Sequence, residues 1–318
     1  MNTKPVLVSG VKPTGDLHIG NYFGAMRQFV ELANSGTYRP FIFIADYHAL
    51  NSIQNAQMMR QRTRELVMAY LAVGLDPDEV TLFKQSDVPA HTELCWIFDT
   101  LTTMPYLERA HAYKDAQAKN KEISVGTFTY PMLMAADILL YDAAIVPVGQ
   151  DQKQHIEYAR DTAEKFNRVY QTDLFTLPEP YIVSDVAVVP GTDGQKMSKS
   201  YGNVIPLFAN RIDLTKAVMS IVTDSGGTRP ENVYAIHKLV RSEGELQRMY
   251  AEHAGNYKML KELLIEDLDR ILAPMRATYE SLKDDPSIVE DILARGKSEA
   301  RAVSGAKMEH VRAAIGVS

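Results

Sequence analysis

The chain has 318 residues, 46% hydrophobic and 23% charged, with 34 Lys and Arg against 40 Asp and Glu and a formal net charge of −6. This balance predicts a globular protein with a full core, in two domains or one domain with an appendage. It excludes a disordered chain and any general basic field, so a nucleic-acid partner must be met by a local patch. Cys95 is the single cysteine, which excludes a disulfide framework and a Cys-based zinc or iron–sulfur site within one chain. The first residues, MNTKPVLVSG, carry no long apolar segment, and the most apolar stretch, 131–148, is interrupted by Asp137 and Asp142. No signal peptide and no membrane span are expected, and a cytoplasmic location is.

In chain order, Val6-Leu7-Val8 reads as a strand closing on Ser9-Gly10, and a loop with Pro13 and Gly15 leads to an amphipathic helix over 22–32. A second strand, 41–44, ends at Ala45-Asp46-Tyr47-His48, and a long helix over 56–73 is stopped by Gly74 and Asp76-Pro77. A third strand over 80–83 and a helix over 91–101 follow, then a charged stretch, 106–121, rich in helix formers. The pattern predicts a helix over 129–141 with Pro131 in its first turn, a fourth strand over 144–148 and a helix over 151–170. Strands alternating with helices argue for an α/β protein with a doubly wound parallel sheet covered on both faces. Segment 177–199, with Pro178, Pro180, Gly191 and Gly194, reads as mobile loop; beyond 210, strand-like runs give way to helices over 243–252, 257–272, 274–282 and 287–294.

Two short motifs carry chemistry. The first is His18-Ile19-Gly20-Asn21, in the turn between the first strand and the next helix, where free backbone N–H groups face a ligand and phosphate is the expected guest. His18 and Asn21 can donate to phosphate oxygens, and Gly20 lets a nucleotide approach the backbone. Taken alone, this turn reads sooner as a polar loop with Asn21 as a helix cap. The second is Lys196-Met197-Ser198-Lys199-Ser200, where two lysines on a glycine-hinged loop can neutralise a departing pyrophosphate and two serines can add hydroxyl contacts.

With these motifs the chain resembles the class I aminoacyl-tRNA synthetases, whose signatures read HIGH and KMSKS; the first departs here only at Asn21. The stretches TYPMLMAADILLYDA (129–143), VPVGQDQKQH (146–155) and ADYHAL (45–50) are similar to the tryptophanyl branch, through most of residues 4–205. The C-terminal part resembles it in helical character and in IVTDS at 221–225. The resemblance implies a Rossmann-like catalytic domain over 1–205, carrying HIGN and KMSKS, and an all-helical domain over 206–318 that binds the tRNA anticodon. It implies activation of L-tryptophan by ATP with Mg2+, transfer to the 3′ end of tRNA(Trp), and a homodimer. Mg2+ is expected to ride on phosphate oxygens and water, with no protein ligand.

Motif positions imply that Lys12, Pro13, Thr14, His18, Gly20 and Asn21 surround ATP from the first turn. Gly149, Gln150 and Asp151 meet its ribose and adenosine side, Val189 lies near adenine, and Lys196, Met197, Ser198, Lys199 and Ser200 hold the phosphates. Lys114 is a further phosphate contact or a surface lysine. Catalytic roles fall to His18, Lys196, Lys199 and Lys114. Asp137 carries the amino-acid reading: a carboxylate in an apolar helix is costly to bury without a donor, and an indole N–H only donates. It is otherwise a salt-bridged or helix-capping aspartate. Val8, Met134, Val146 and Val148 line the indole slot or simply pack the core, and His48, Tyr130 and Gln152 address the α-amino and carboxylate end.

The tyrosyl branch shares the fold and an aspartate on the corresponding helix. Its enzymes place a phenolic residue on the first strand, where this chain has Val8, and His155 in GQDQKQH matches the tryptophan branch. A catalytically silent binding paralogue stays open, but both loop lysines and Asp137 are intact. Departures from the branch are His18, where many members have threonine, and Arg109-Ala110-His111-Ala112-Tyr113-Lys114 in place of Arg-Met-Thr-Gln-Phe-Lys.

Overall fold

A computed structural model describes residues 4–13, 15–118, 122–148, 153–182, 188–223, 227 and 229–317. Strand β1 (Val6–Val11) leads through α1 (Ile19–Asn21), a wide π-helical turn (Tyr22–Met26) and α2 (Arg27–Ala33) to β2 (Arg39–Ile44). Then come α3 (Asp46–Ala49), α4 (Ala56–Ala72), β3 (Thr81–Lys84), α5 (Ala90–Leu101), α6 (Met104–Leu107), α7 (His111–Ala118) and α8 (Val125–Leu139). Strand β4 (Ile145–Val148), α9 (Lys153–Val169) and β5 (Glu179–Ile182) complete the sheet. The rest is α10 (Arg211–Met219), α11 (Glu231–His237), α12 (Glu243–Glu252), α13 (Tyr257–Asp284) and α14 (Pro286–Ile315).

The five strands are parallel in the order β3-β2-β1-β4-β5. Period-two alternation sends side chains to two separate cores. Leu7, Ile42 and Ile44 face one, with Leu66 and Val67 of α4 and Leu264, Leu268 and Leu272 of α13; Val8, Phe41 and Phe43 face the other, with Leu94, Phe98, Met132, Ile138 and Phe166. Helices therefore cover both faces, as a Rossmann-like doubly wound sheet requires. The strand order reverses between β1 and β4, so a crevice opens beyond their carboxyl ends.

Three elements differ from the sequence reading. Helix α8 starts at Val125, where the Ser124 hydroxyl accepts the Thr127 N–H at 3.1 Å, so Pro131 lies inside the helix and not in its first turn. Strand β5 falls in the segment read as loop: Pro180 pairs in register with Val146, and an edge strand tolerates a residue without an N–H. Pro274 interrupts nothing, because α13 runs unbroken from Tyr257 to Asp284. The Leu94-Ile97-Phe98 face of α5 is core.

The last helix returns to the sheet. Helix α14 packs along β3 and shields that edge; a Cβ on Gly296 would lie 1.9 Å from the Leu82 carbonyl oxygen, so only glycine permits the approach. Among the described residues, no helix is long and apolar enough to cross a membrane.

Candidate active site

The crevice at the switch point holds a cleft of about 310 Å3, in the range of small-molecule sites. Its walls are Val8, Ser9, Gly10 and Lys12 from β1 and the turn after it, Val146 and Pro147 from β4, Tyr130, Met134, Asp137 and Ile138 from α8, and Phe43, Ala45, His48, His155 and Ile156. Gly10 admits the Phe43 ring, which a Cβ would meet at 2.3 Å. Pro131 and Met132 face the core behind α8, while Tyr130, Met134 and Asp137, at helical spacing, face the cleft.

Asp137 is 1% exposed and accepts from three side chains. His91 Nδ1 lies 2.6 Å from Oδ1, His48 Nε2 lies 2.8 Å from Oδ2, and Gln85 Nε2 bridges both oxygens at 2.8 and 3.0 Å. Burial alone would raise this carboxyl; the hydrogen bonds from the two imidazoles outweigh it and hold the group down to about 2. It is therefore ionised at neutral pH and only accepts. The turn that supplies Gln85 is fixed to α3, which supplies His48: Asp46 Oδ1 accepts from the Ser86 amide at 3.0 Å and Oδ2 from the Ser86 hydroxyl at 2.5 Å.

At the other end of the cleft, Tyr130 Oη lies 2.5 Å from His155 Nε2, and burial pushes the Tyr130 hydroxyl up to about 12. Lys12 places its ammonium 5.9 Å from the centre of the Tyr130 ring. Loss of water in the crevice sets that ammonium below the ordinary lysine range.

The two sequence motifs meet beside this cleft. Asn21 Oδ1 accepts the His18 amide at 3.0 Å, closing the first helical turn. Ile19 N–H donates to Ile205 O at 3.0 Å and Leu207 N–H to Leu17 O at 3.0 Å, which lays the chain after the lysine loop against the first turn. A Cβ on Gly20 would crowd His18 Nδ1 at 2.8 Å and Met197 Cβ at 3.2 Å, so glycine lets the motifs close. His18 is 8% exposed and its Nδ1 has no protein partner; burial first, and Lys199 second, lower its pKa and keep it neutral.

Lys196-Met197-Ser198-Lys199-Ser200 closes a hairpin, with Met197 N–H on Val189 O at 2.9 Å and Gly191 N–H on Gln195 O at 2.6 Å. Asn203 ties it internally: its Oδ1 accepts the Ser198 amide at 2.8 Å, and its Nδ2 donates to Asp193 Oδ1 at 2.7 Å and Lys196 O at 3.1 Å. Met197 and Val189 are buried, whereas Lys196, Lys199 and Ser200 are exposed. Lys199 lies against the first loop, its Nζ 2.8 Å from the position a Gly15 Cβ would take.

Of the residues expected around tryptophan, Val8, His48, Tyr130, Met134, Asp137 and Val146 line one cleft. Gln152 and the side chain of Val148 lie outside the described residues, as do Thr14, Gly149, Gln150 and Asp151 on the nucleotide side. Lys12, expected at ATP, also lines this cleft, and His48 sits on Asp137. Pro13 is buried in the first loop, and Lys114 is exposed on α7, which the Tyr113–Phe128 edge contact anchors to α8. Gln85, His91 and Tyr141 escaped sequence reasoning. They come from separate elements, and only an unexplained polar residue at an apolar helical position, His91, could have marked them.

The family profile described as tRNA synthetases class I (W and Y) matches residues 1–280. A tryptophan–tRNA ligase of Fusobacterium nucleatum is 46% identical over 98% of this chain and 97% of its own length, and one of Rhodopirellula baltica is 42% identical over 98% and 99%. The crystal structure of tryptophanyl-tRNA synthetase from Campylobacter jejuni complexed with ADP and tryptophan superposes with a TM-score of 0.91, at 42% identity over 98% of this chain and 99% of that one. With a doubly wound sheet, both signature motifs joined at its switch point, and relatives matching along nearly the whole chain, this protein belongs to the class I tRNA synthetases of the tryptophan and tyrosine group.

Proposed function

We infer that this chain activates L-tryptophan with ATP, forming tryptophanyl-adenylate and pyrophosphate, and transfers the aminoacyl group to the 3′-terminal ribose of tRNA(Trp). The observation that carries the reading is Asp137: a buried, ionised acceptor at the floor of an apolar cleft, matched to the one polar group of indole. Val8, Met134 and Val146 supply apolar walls around it. The solved relative that superposes on this chain binds tryptophan and ADP.

The substrate carboxylate attacks the α-phosphorus of ATP and pyrophosphate leaves. Such a centre needs positioning and charge stabilisation more than a protein nucleophile. Lys12, at the cleft mouth between the amino-acid side and the first turn, steers the carboxylate towards the α-phosphate. Neutral His18 donates to phosphate oxygen, with Pro13, Thr14, Gly20 and Asn21 shaping the turn. Lys196 and Lys199 take up charge on the leaving pyrophosphate, with Ser198 and Ser200 beside them and Met197 as the loop's buried anchor. Gly149, Gln150 and Asp151 receive the ribose, the Val189 segment adenine, and Lys114 a further phosphate. Gln152 and Val148 complete the tryptophan site, with His48 and Tyr130. Mg2+ would come with the nucleotide, held by phosphate oxygens and water.

Residues 1–205 form the catalytic part and 206–318 the helical part that receives the tRNA anticodon, with α14 bracing the sheet edge. The working form is a homodimer in the cytoplasm, a reading supported by the solvent-facing Trp96 of α5 and Met104 of α6, 70% and 64% exposed. Pyrophosphate exchange into ATP, run with tryptophan and with tyrosine on the native protein and Asp137→Ala, tests the proposal. Exchange with tryptophan alone, lost on substitution, is expected. Exchange with tyrosine moves the protein to the other branch, and no exchange with either removes the activation step.

A further inference from the structure

Behind Asp137 lies a polar chain that does not touch the cleft. His91 and Tyr141 are 0% and 2% exposed, Gln85 is 0% exposed, and none of the three lines the cleft wall. Since a carboxylate only accepts, Nδ1 of His91 carries a proton towards Oδ1, and Nε2 pairs with the Tyr141 hydroxyl at 2.9 Å. The imidazole is packed between the rings of Phe43, Phe83 and Tyr141 in tilted contacts, with ring centres 5.6 to 6.1 Å away. It cannot turn without breaking two hydrogen bonds. Gln85 spans both carboxylate oxygens and so fixes the carboxylate plane. Of the three donors to Asp137, only His48 lines the cleft, at Oδ2.

We propose that His91 and Gln85 are positioning residues for substrate choice: they lock the Asp137 carboxylate from behind, so that its cleft-side oxygen meets a ring N–H, which shares or replaces the His48 contact. This inference rests on the assignment of Asp137 to the indole N–H. A ring lacking the donor leaves the cleft-side oxygen with its His48 and Gln85 contacts alone and forfeits the ring's charge-assisted hydrogen bond, whereas a carboxylate free to rotate can turn away and lose that discrimination. His91 and Gln85 thereby set the preference for indole over an isosteric ring.

The test is pyrophosphate exchange with tryptophan and with 3-(benzothiophen-3-yl)alanine, in which sulfur replaces the N–H. The readout is the ratio of the two kcat/KM values, with KM for ATP as an internal reference. The native protein is expected to favour tryptophan by on the order of a hundredfold or more. Variants are made on a Tyr141→Phe background, so that no buried hydroxyl is orphaned. His91→Leu is expected to lower the ratio at least about tenfold, while His91→Asn, which returns a donor to the Nδ1 position, holds it within about threefold of the background. Gln85→Met, which also removes the 3.4 Å contact of the His48 amide with Gln85 Oε1, is expected to lower the ratio as His91→Leu does. A merely structural role would lower kcat/KM for both substrates alike. An unchanged ratio in His91→Leu and Gln85→Met, with the native preference intact, overturns the inference. Absence of any preference in the native protein removes instead the assignment of Asp137 on which it rests.

Discussion

The amide of Ile19 donates to the carbonyl of Ile205 at 3.0 Å, within the first signature motif on one side and just past the lysine loop on the other. The histidine turn and the lysine loop, far apart in the chain, thereby share one small backbone ladder, which also carries Leu207 N–H to Leu17 O. Any movement of the lysines over the nucleotide has this ladder as its fixed end.

Asn203 is the side chain that transmits the ladder to the loop, being 2% exposed and bonded to Ser198, Asp193 and Lys196. Asn203→Ala leaves the Ser198 amide without that acceptor and opens space against Gly191, whose Cβ position lies 2.3 Å from Asn203 Nδ2. We expect roughly 1–3 kcal/mol of lost stability, as for other broken buried hydrogen bonds. Hydrogen exchange should rise over 191–200, and KM for ATP should rise more than KM for tryptophan. Equal changes in both KM values would show that the loop does not depend on Asn203.

Asp137 sets a pH dependence of stability. Its pKa falls from 3.8 to about 2 on folding, so its ionised form stabilises the native state fully above about pH 4 and loses that contribution as pH falls towards 2. At about 1.4 kcal/mol per pH unit the contribution is roughly 2 kcal/mol. Denaturant midpoints of the native protein and Asp137→Asn should therefore differ most near neutrality and converge through that acid window. Parallel curves would mean that the carboxylate is not held ionised by its donors.

His18 tests the nucleotide side. Its lowered pKa makes it neutral at pH 7, with Nδ1 buried and unpartnered. Loss of a preorganised donor to a transition-state oxygen typically slows the chemical step by about 10²–10³. His18→Ala should therefore lower kcat of pyrophosphate exchange by about that factor, with little effect on KM for tryptophan. Because burial keeps the imidazole neutral, kcat of the native protein should stay flat from about pH 7 upward, where no His18 proton remains to be lost. A fall in kcat through this range that disappears in His18→Ala would show that the charged form acts.

What the sequence could tell followed from how local each signal is. The strand–turn–helix around His18 and the lysine pentapeptide are contiguous, and short apolar runs and helical patterns located four strands and most helices. Strand β5 was missed because Pro180 argues against a strand unless one knows that it lies at an edge. The start of α8 was misplaced because Pro131 is a strong first-turn signal, and tertiary burial of Met132, Ala135 and Ala136 overrides the lost hydrogen bond. Asp137 stood out as a carboxylate in an apolar run. Gln85 and His91 could not be connected to it, since each belongs to a different element, and Tyr141, in the turn after α8, joins it only through His91 once α5 packs on α8.

The helical C-terminal part bears on the sheet through one position that can be tested cleanly. Gly296 of α14 approaches β3 so closely that a Cβ would lie 1.9 Å from the Leu82 carbonyl oxygen and 2.6 Å from its carbon. The obstacle is backbone, which cannot rotate aside, so Gly296→Ala must push α14 off the strand or bend β3. Overpacking of this kind costs about 1–3 kcal/mol or more, against the gain of up to about 1 kcal/mol that alanine brings to a helix interior. Gly305 in the same helix has nothing within 4 Å of its Cβ position, and Gly305→Ala receives only the gain. Thermal denaturation should place Gly296→Ala below the native protein and Gly305→Ala at or above it. Because β3 runs directly into Gln85, a bent strand also disturbs the bridge to Asp137, so Gly296→Ala should raise KM for tryptophan and leave KM for ATP unchanged. Two variants of equal stability would mean that α14 can slide along β3, and that the sheet edge does not depend on this contact.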